Sequence, residues 1–292
     1  MKKILWMFTM MSISFVTFAQ DAEAEKEDNG WKKGGVISLN MSQVALNNWA
    51  AGGDNSFSGA GFFDGYANLA RKNYTWDNTL SLGYGLQKQN DDDWFKNNDK
   101  LEFSSKYGQL AANKWYYSAL IDFKTQFTEG FKNSGDEVHI SNFFAPAYLN
   151  LAIGMDYKPN ENFSVMISPL SGKMTFVADT ALSNKGAFGV EEGEKLRSEF
   201  GAFVKVAYKV ELMENIHYST KLNLFSNYLN NPQNVDVNWD NLVTFKINKY
   251  FNASFMFNII YDDDIHFPLD DGREEAKLQW KEMFGLGFTY NL

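Results

Sequence analysis

The chain has 292 residues, 45% of them hydrophobic and 16% aromatic, and a formal charge of −9 at neutral pH. An acidic chain of this kind argues against nucleic acid as a partner, because nucleic-acid binding needs a basic face. The sequence has no cysteine, which excludes disulfide bonds, thiol catalysis and a cysteine-ligated zinc site.

The N-terminus has the features of a secretory signal peptide. Lys2 and Lys3 precede an apolar stretch at 4–18, and the small residues Thr17 and Ala19 stand at positions −3 and −1 of a signal-peptidase site. We expect cleavage after Ala19, and an uncleaved anchor helix is the alternative. The sequence therefore divides into a signal peptide at 1–19, a flexible acidic tail at 20–30 and one folded unit at 31–292.

From residue 31 onward, apolar and polar residues alternate, which places successive side chains on opposite faces of a β-strand. The segment 74–86 is the clearest example, and the final segment is the most regular. The pattern predicts about twelve strands, at 33–44, 55–70, 73–88, 99–111, 114–129, 143–158, 162–171, 196–210, 215–230, 236–248, 250–262 and 276–292.

Short and long connections alternate along these strands. The short ones lie near 71–72, 111–113, 159–162, 211–215 and 248–249. The others, near 45–54, 88–98, 130–142, 171–195, 231–235 and 262–275, are mostly longer. An up-and-down barrel with an even number of strands and both termini in the periplasm requires this alternation. The predicted fold is therefore an all-β, antiparallel, transmembrane barrel.

Three features favour a membrane barrel over the alternative, a soluble β-sandwich. The best strands have about 13–17 residues, against a mode of 5–6 in globular proteins. Aromatic residues stand near both ends of the apolar faces, as at a membrane interface. The chain also ends on an alternating aromatic strand, 284–292, which resembles the C-terminal recognition signal of outer-membrane proteins, although Leu292 replaces the usual Phe. We therefore expect outer-membrane lipid and lipopolysaccharide around the barrel, and barrel-assembly machinery bound to the last strand.

Several short segments resemble a known family. They are WKKGG at 31–35, SQVALNNW at 42–49, AGGDNS at 51–56, ISPLSGK at 167–173, GAFGV at 186–190 and EFG at 199–201. Together they resemble a Bacteroidota outer-membrane family known only as a domain of unknown function. The resemblance implies a location and a fold, and it brings no activity or catalytic residue.

Three groups of residues are candidate sites of chemistry. The three histidines have no paired-ligand spacing, so we predict no metal site and no cofactor. His217 and Ser219 lie on one face of a predicted strand, as such a pair does in outer-membrane phospholipase A. They share that face with Lys221, which places them inside the barrel. The sequence therefore favours a hydrogen-bonded pair in the lumen over a lipid hydrolase. Acidic runs at 91–93, 191–194, 262–264 and 270–271 are either solvated loops or ligands for calcium.

The inward faces of the predicted strands carry charges of both signs. The candidates for the lining of a pore are Asp77, Glu102, Lys106, Asp122, Lys124, Glu199, Lys205, Lys221 and Lys246. A twelve-stranded interior is intermediate between a filled eight-stranded barrel and an open porin. The sequence leaves open both a lumen plugged by ion pairs and a narrow selective channel.

A second candidate is the loop after the first strand, which carries Asn47, Asn48, Trp49, Gly52 and Gly53. Its glycines permit tight backbone approach. The loop is predicted as an inward constriction, a contact for an outer-membrane protein partner, or a structured loop with no further role. The leading functional hypothesis is a non-enzymatic, narrow pore for small solutes. The alternatives are an accessory subunit of a larger outer-membrane assembly and, third, a lipid hydrolase.

Overall fold

The computed structural model describes residues 30–47, 54–132, 134–269 and 273–292. Its barrel strands are β1 (Trp31–Val44), β2 (Ser56–Ala70), β3 (Tyr74–Gln89), β4 (Phe95–Ala112), β5 (Trp115–Thr125), β8 (Ala147–Asn160), β9 (Phe163–Phe176), β10 (Leu196–Met213), β11 (Ile216–Asn227), β12 (Asp236–Lys246), β13 (Phe251–Tyr261) and β16 (Gln279–Asn291). The predicted signal peptide lies outside the described residues, as does the predicted tail except for its last residue.

These strands pair antiparallel in chain order, and the sheet closes on itself through β1 and β16. The closing register runs from Val36 opposite Asn291 to Asn40 opposite Gly287, and the backbone N–H of Leu292 donates to the carbonyl of Gly35 over 2.8 Å. The closed antiparallel barrel of about twelve strands is therefore confirmed. Closure leaves no edge strand with unpaired backbone groups, as a hydrocarbon environment demands.

The connections sort by length between the two ends of the barrel. One end has short turns of two to four residues, and their tight geometry places Asn113, Lys114 and Asn215 at positive φ. The other end has the long connections. These contain the ribbon strands β6 (Gly130–Phe131) and β7 (His139–Ser141), helix α1 (Thr180–Ser183), a 3₁₀ turn at Ala187–Gly189, and the ribbon strands β14 (His266–Pro268) and β15 (Glu274–Ala276).

The outer face of the barrel is an apolar belt. Its exposed side chains include Ile37, Leu39, Met41, Phe103, Ile121, Leu151, Ile153, Ile167, Leu170, Trp280, Phe284 and Leu286. A soluble protein seldom exposes an apolar surface that extends around the whole molecule. The belt fits a barrel whose outside contacts lipid and whose inside is polar.

Aromatic pairs ring the outside of the barrel near both ends, as at the two interfaces of a membrane. At the short-turn end the ring centroids of Trp31 and Trp76 are 5.7 Å apart, and those of Trp115 and Tyr157 are 5.0 Å apart. At the long-loop end Phe144 packs on Phe123 and on Phe176, at 5.5 and 6.3 Å. Among the described helices, none is long and apolar enough to cross a membrane.

Strand β9 is longer than the alternation predicted, because a bulge interrupts it. The prediction ended this strand at residue 171, whereas it runs to Phe176 with register shifts against both neighbours. The Ser168 hydroxyl lies 2.8 Å from two backbone carbonyl oxygens, and Ser171 donates to the carbonyl of Gly201 over 2.8 Å. These hydroxyls support the backbone around Pro169, which has no N–H to donate.

The bulge has a consequence for the barrel interior. Before the bulge the inward positions are even-numbered, as at Met166 and Ser168, and after the bulge they are odd-numbered. The extra residue therefore rotates Lys173 into the lumen, where unbroken alternation would point it at lipid. Close approach of the strands requires Gly154, because a Cβ there would lie 2.1 Å from the backbone oxygen of Ile167.

Candidate functional site in the barrel lumen

The lumen is crossed by an ion pair between nonadjacent strands. The Lys205 ammonium on β10 lies 2.6 Å from the Asp122 carboxylate on β5 and donates to the Ser104 hydroxyl on β4 over 3.1 Å. Strands β8 and β9 separate β5 from β10 in the sheet. The Lys205 side chain therefore spans part of the interior and narrows it.

Two further ion pairs cross the barrel nearer the short-turn end. Lys106 lies 2.7 Å from the Asp156 carboxylate and donates to Ser164 over 2.9 Å. Lys158 lies 2.6 Å from the carboxylate of Asp77. Asp156 and Lys158 were not among the sequence candidates, and each neutralises a predicted lumen charge. Both pairs fill the side of the lumen formed by β3 to β9.

Another pair lies nearer the middle of the barrel, on neighbouring strands. Glu102 on β4 lies 3.1 Å from Lys124 on β5 and 3.4 Å from Lys100. Two ammonium groups thus share one carboxylate, and each of these side chains is partly shielded from water. Charges removed from water are stable only when they are paired, which explains why the predicted positions come with counter-charges.

Lys173 is the centre of the largest charge cluster, near the long-loop end. Its ammonium lies 2.6 Å from Asp236, 2.9 Å from Asp262 and 3.7 Å from Glu199, and the side chain is only 11% exposed. Arg197 extends the cluster, because its guanidinium contacts both Glu199 and Asp264. The acidic run at 262–264 was predicted as a solvated or calcium-binding loop, but two of its carboxylates instead fold inward onto these cations.

Sequence reasoning missed Lys173 because it ended the strand at residue 171. The signal that identifies it is the Pro169 interruption followed by renewed alternation through Lys173 and Thr175. Loop residues such as Asp262 carry no strand periodicity, so their inward position has no counterpart in the pattern.

One part of the lumen is filled by an apolar cluster. Leu120, Ala152, Met166, Phe203 and Phe225 are all at least 95% buried and pack together. Phe203 and Phe225 are direct cross-strand partners on β10 and β11. Lys173 extends over the Phe225 ring, with its ammonium 5.5 Å from the ring centroid. The cluster closes the β5–β11 side of the interior, so any solute path is displaced from the barrel axis.

Several inward-facing side chains on the remaining wall are nevertheless exposed. They are Asp64 on β2, Lys209 on β10, and His217 and Lys221 on β11. Within the part of the chain that the structure describes, no salt bridge reaches Lys209, Lys221 or Lys246, and Lys246 is exposed at the end of β12. Solvent therefore reaches the lumen along β10–β12 and β2.

A cavity of about 200 Å³ lies in the interior between these two regions. Inward side chains of nine strands contribute to it, including Thr79 and Ser81 on one side and Asn223 and Asn238 on the other. Its charged lining is Glu102, Asp122, Lys124, Lys173, Lys205, Lys221, Asp236, Asp240 and Asp262. Aromatic and apolar groups, among them Phe203 and Ile265, complete the wall.

The other candidates of the sequence are less informative. His217 lies on the lumen side with Ser219, and the described residues show no hydrogen bond between them. Of the loop candidates, only Asn47 is described, as an exposed bend. Asn48, Trp49, Gly52 and Gly53 lie outside the described residues. No group of three or more metal-ligating side chains occurs in the described ranges.

Comparisons with known proteins give one family match over part of the chain and several distant structural similarities. Residues 41–131 match the model of a family described as a protein of unknown function, DUF3078. The match includes β2 to β5 and the loop before them, and it supports the resemblance to a domain of unknown function over this range. No curated protein matches the sequence.

Several solved structures are similar at low identity. An outer-membrane channel from Pseudomonas putida F1 is 12% identical, with 93% of this chain and 98% of that chain covered and a TM-score of 0.40. The NanC porin is 9% identical, with 89% and 100% covered and a TM-score of 0.37. The translocator domain of the autotransporter NalP from Neisseria meningitidis is 8% identical, with 91% and 90% covered and a TM-score of 0.37. These similarities are low, and the fold rests on the strand pairing described above.

Proposed function

We propose that this protein is a non-enzymatic barrel of a bacterial outer membrane that conducts small polar solutes through a narrow lumen. The observation that carries the proposal is the cavity of about 200 Å³, which is lined by side chains of nine strands, many of them charged or amide. If ion pairs plugged the whole lumen, side chains would occupy this space, and no cavity would remain between them.

The proposal also covers the export of the chain, its insertion into the outer membrane and the lipids around it. The signal peptide would be cleaved after Ala19, the C-terminal strand would engage the barrel-assembly machinery, and the outer belt would contact lipid and lipopolysaccharide. The short segments that resemble a Bacteroidota family favour a source in that phylum.

The Lys205–Asp122 pair narrows the proposed path, so its removal tests the function. In planar bilayers, we expect the wild-type protein to give small conductance steps. We expect the double variant Lys205→Met/Asp122→Asn to give larger steps, because it removes a charged bridge without leaving an unpaired charge. The control is Lys33→Met, because the Lys33 ammonium lies 5.9 Å from the centroid of the Trp31 ring on the outer face of the barrel.

Conductance is measured only on protein that is shown to be folded, by a heat-dependent shift on gels and by a β-sheet circular dichroism spectrum. A folded double variant and a folded wild type that both remain electrically silent would contradict the channel. Purification of the barrel with a second outer-membrane protein would then favour the accessory role. The lipid-hydrolase alternative places catalysis on Ser219, so Ser219→Ala should abolish any lipase activity that the purified protein has.

A further inference from the structure

Four polar side chains form a patch on the inward faces of β11 and β12. Lys221 is the direct cross-strand partner of Asp240, and Asn223 is the partner of Asn238. All four line the lumen cavity. Directly opposed residues of antiparallel strands have their Cβ atoms about 4.5–5.5 Å apart, so the patch presents one cation, one anion and two amides within a small area.

The charges of this patch differ from the others that line the cavity. Glu102, Asp122, Lys124, Lys173, Lys205, Asp236 and Asp262 each take part in a salt bridge. Lys221 is exposed, and no salt bridge reaches it within the described residues. Asp240 accepts a hydrogen bond of 2.5 Å from the Asn258 amide but likewise forms no salt bridge in the described chain.

The amide groups of the patch also have hydrogen-bond acceptors that are not in use. The side-chain oxygens of Asn223 and Asn238 accept no hydrogen bond from any described residue, although both are removed from water. Buried acceptors without a donor cost about 1–3 kcal/mol each, so a ligand that donates hydrogen bonds here would recover that free energy. An ammonium group has three such donors.

The patch therefore has one open position for an anion and one for a cation. A ligand with a single charge would leave the opposite charge of the patch without a partner in a partly dehydrated site, which is unfavourable. A ligand that carries both charges gives a partner to each charge of the patch. We propose that the cavity binds a zwitterionic solute of the free amino-acid class, with its carboxylate on Lys221 and its ammonium on Asp240. This inference rests on the proposed channel function and names its solute class.

The size of the cavity agrees with that class. A water molecule takes about 30 Å³ in the liquid, so about 200 Å³ holds a small amino acid with a few waters. Drug-sized ligands need pockets of roughly 300–1,000 Å³ and would not fit. In an α-amino acid the two charged groups are separated by one carbon, a spacing that adjacent strands can bind simultaneously.

The test is calorimetric titration of the full-length protein, in detergent, with three probes of similar size: L-serine, acetate and ethylammonium. We expect heat from serine and none from the two singly charged probes. Lys221→Met and Asp240→Asn should each weaken serine binding at least tenfold. Lys209→Met is the matched control, because Lys209 is also an exposed, inward-facing lysine without a salt bridge but does not line the cavity.

Two results would overturn the inference. One is acetate binding as strong as serine binding, which would indicate a simple anion site at Lys221. The other is serine binding that survives Lys221→Met in a variant whose gel shift shows a folded barrel. Conductance is measured on the same preparations. Conductance without serine binding overturns the solute class and leaves the channel, whereas serine binding to a silent barrel overturns the channel and supports the site.

Discussion

Replacement of Lys173 by methionine should destabilise the barrel more than the loss of any exposed charge. Methionine keeps the length of the side chain but removes the charge that faces Asp236, Asp262 and Glu199. All three carboxylates are shielded, with Glu199 only 3% exposed, and of the three only Glu199 keeps a salt bridge, to Arg197, within the described residues. The removal of one partner from a buried ion pair costs about 3–5 kcal/mol.

This loss of unfolding free energy converts into a measurable shift of the urea midpoint. Urea unfolding of small proteins has a slope of about 1–3 kcal/mol per molar, so a loss of about 3 kcal/mol lowers the midpoint by roughly 1–3 M. The assay is urea titration of the protein folded in detergent micelles, followed by tryptophan fluorescence and the heat-dependent gel shift. Lys32→Met is the control and should leave the midpoint unchanged, because Lys32 and Glu161 are 67% and 77% exposed.

A second substitution identifies the cause. In the Lys173→Met background, Asp262→Asn removes one of the carboxylates that has lost its counter-charge, so it should recover part of the stability. The reasoning is refuted if Lys173→Met unfolds at the same urea concentration as Lys32→Met. It is also refuted if Asp262→Asn adds its own loss to that of Lys173→Met, since independent effects mean that the two side chains are not coupled.

Three other predictions test separate parts of the molecule. Gly154→Ala should destabilise the barrel by about 3 kcal/mol in the same urea assay, because the new Cβ would clash with the backbone of β9. Gly172→Ala is the control and should be tolerated, since no atom would lie closer than 3.8 Å to its Cβ. Equal urea midpoints for the two variants would contradict this prediction. The backbone N–H of Leu182 above all, and then the side chains of Asn142 and His139, form hydrogen bonds with the Asp179 carboxylate and lower its pKa. The stability that Asp179 contributes is therefore present above the ordinary carboxyl pKa and is lost as the pH falls through the lowered value. Protease resistance of the 177–195 loop should persist to about pH 5 and decline below about pH 4 in wild type, and Asp179→Asn should lack that step. Removal of detergent from the purified protein should cause aggregation through the apolar belt, and a monomer that stays dispersed in plain buffer would refute the membrane assignment.

The alternation of the sequence was sufficient for most of the fold. Strand number, antiparallel order and the sorting of short and long connections follow from a period of two, because lipid on one side and a polar interior on the other impose opposite requirements on successive residues. The regular strand Gln279–Asn291 shows this most clearly, since Phe284 and Leu286 face outward as its pattern predicts.

Local periodicity did not reveal the pairing inside the lumen. Asp122 and Lys205 stood out as inward charges, but only closure of the barrel makes them partners, because it brings the Lys205 side chain on β10 across the lumen to β5 and β4. The same limit applied to Lys173. The packing of the extra residue depends on the neighbouring strand β8, where the absence of a side chain at Gly154 admits the backbone of Ile167 and Ser168.

The sequence by itself thus determined a barrel with a lipid-facing outside, because each strand carries its own two-faced pattern and needs no knowledge of its neighbours. Only the tertiary structure decided which inward charges neutralise one another and which, such as Lys221 and Asp240, line a cavity without a salt bridge to any described residue. The physical reason is distance: a salt bridge depends on ångström-scale separations between side chains far apart in the chain, and closure of the barrel sets those separations.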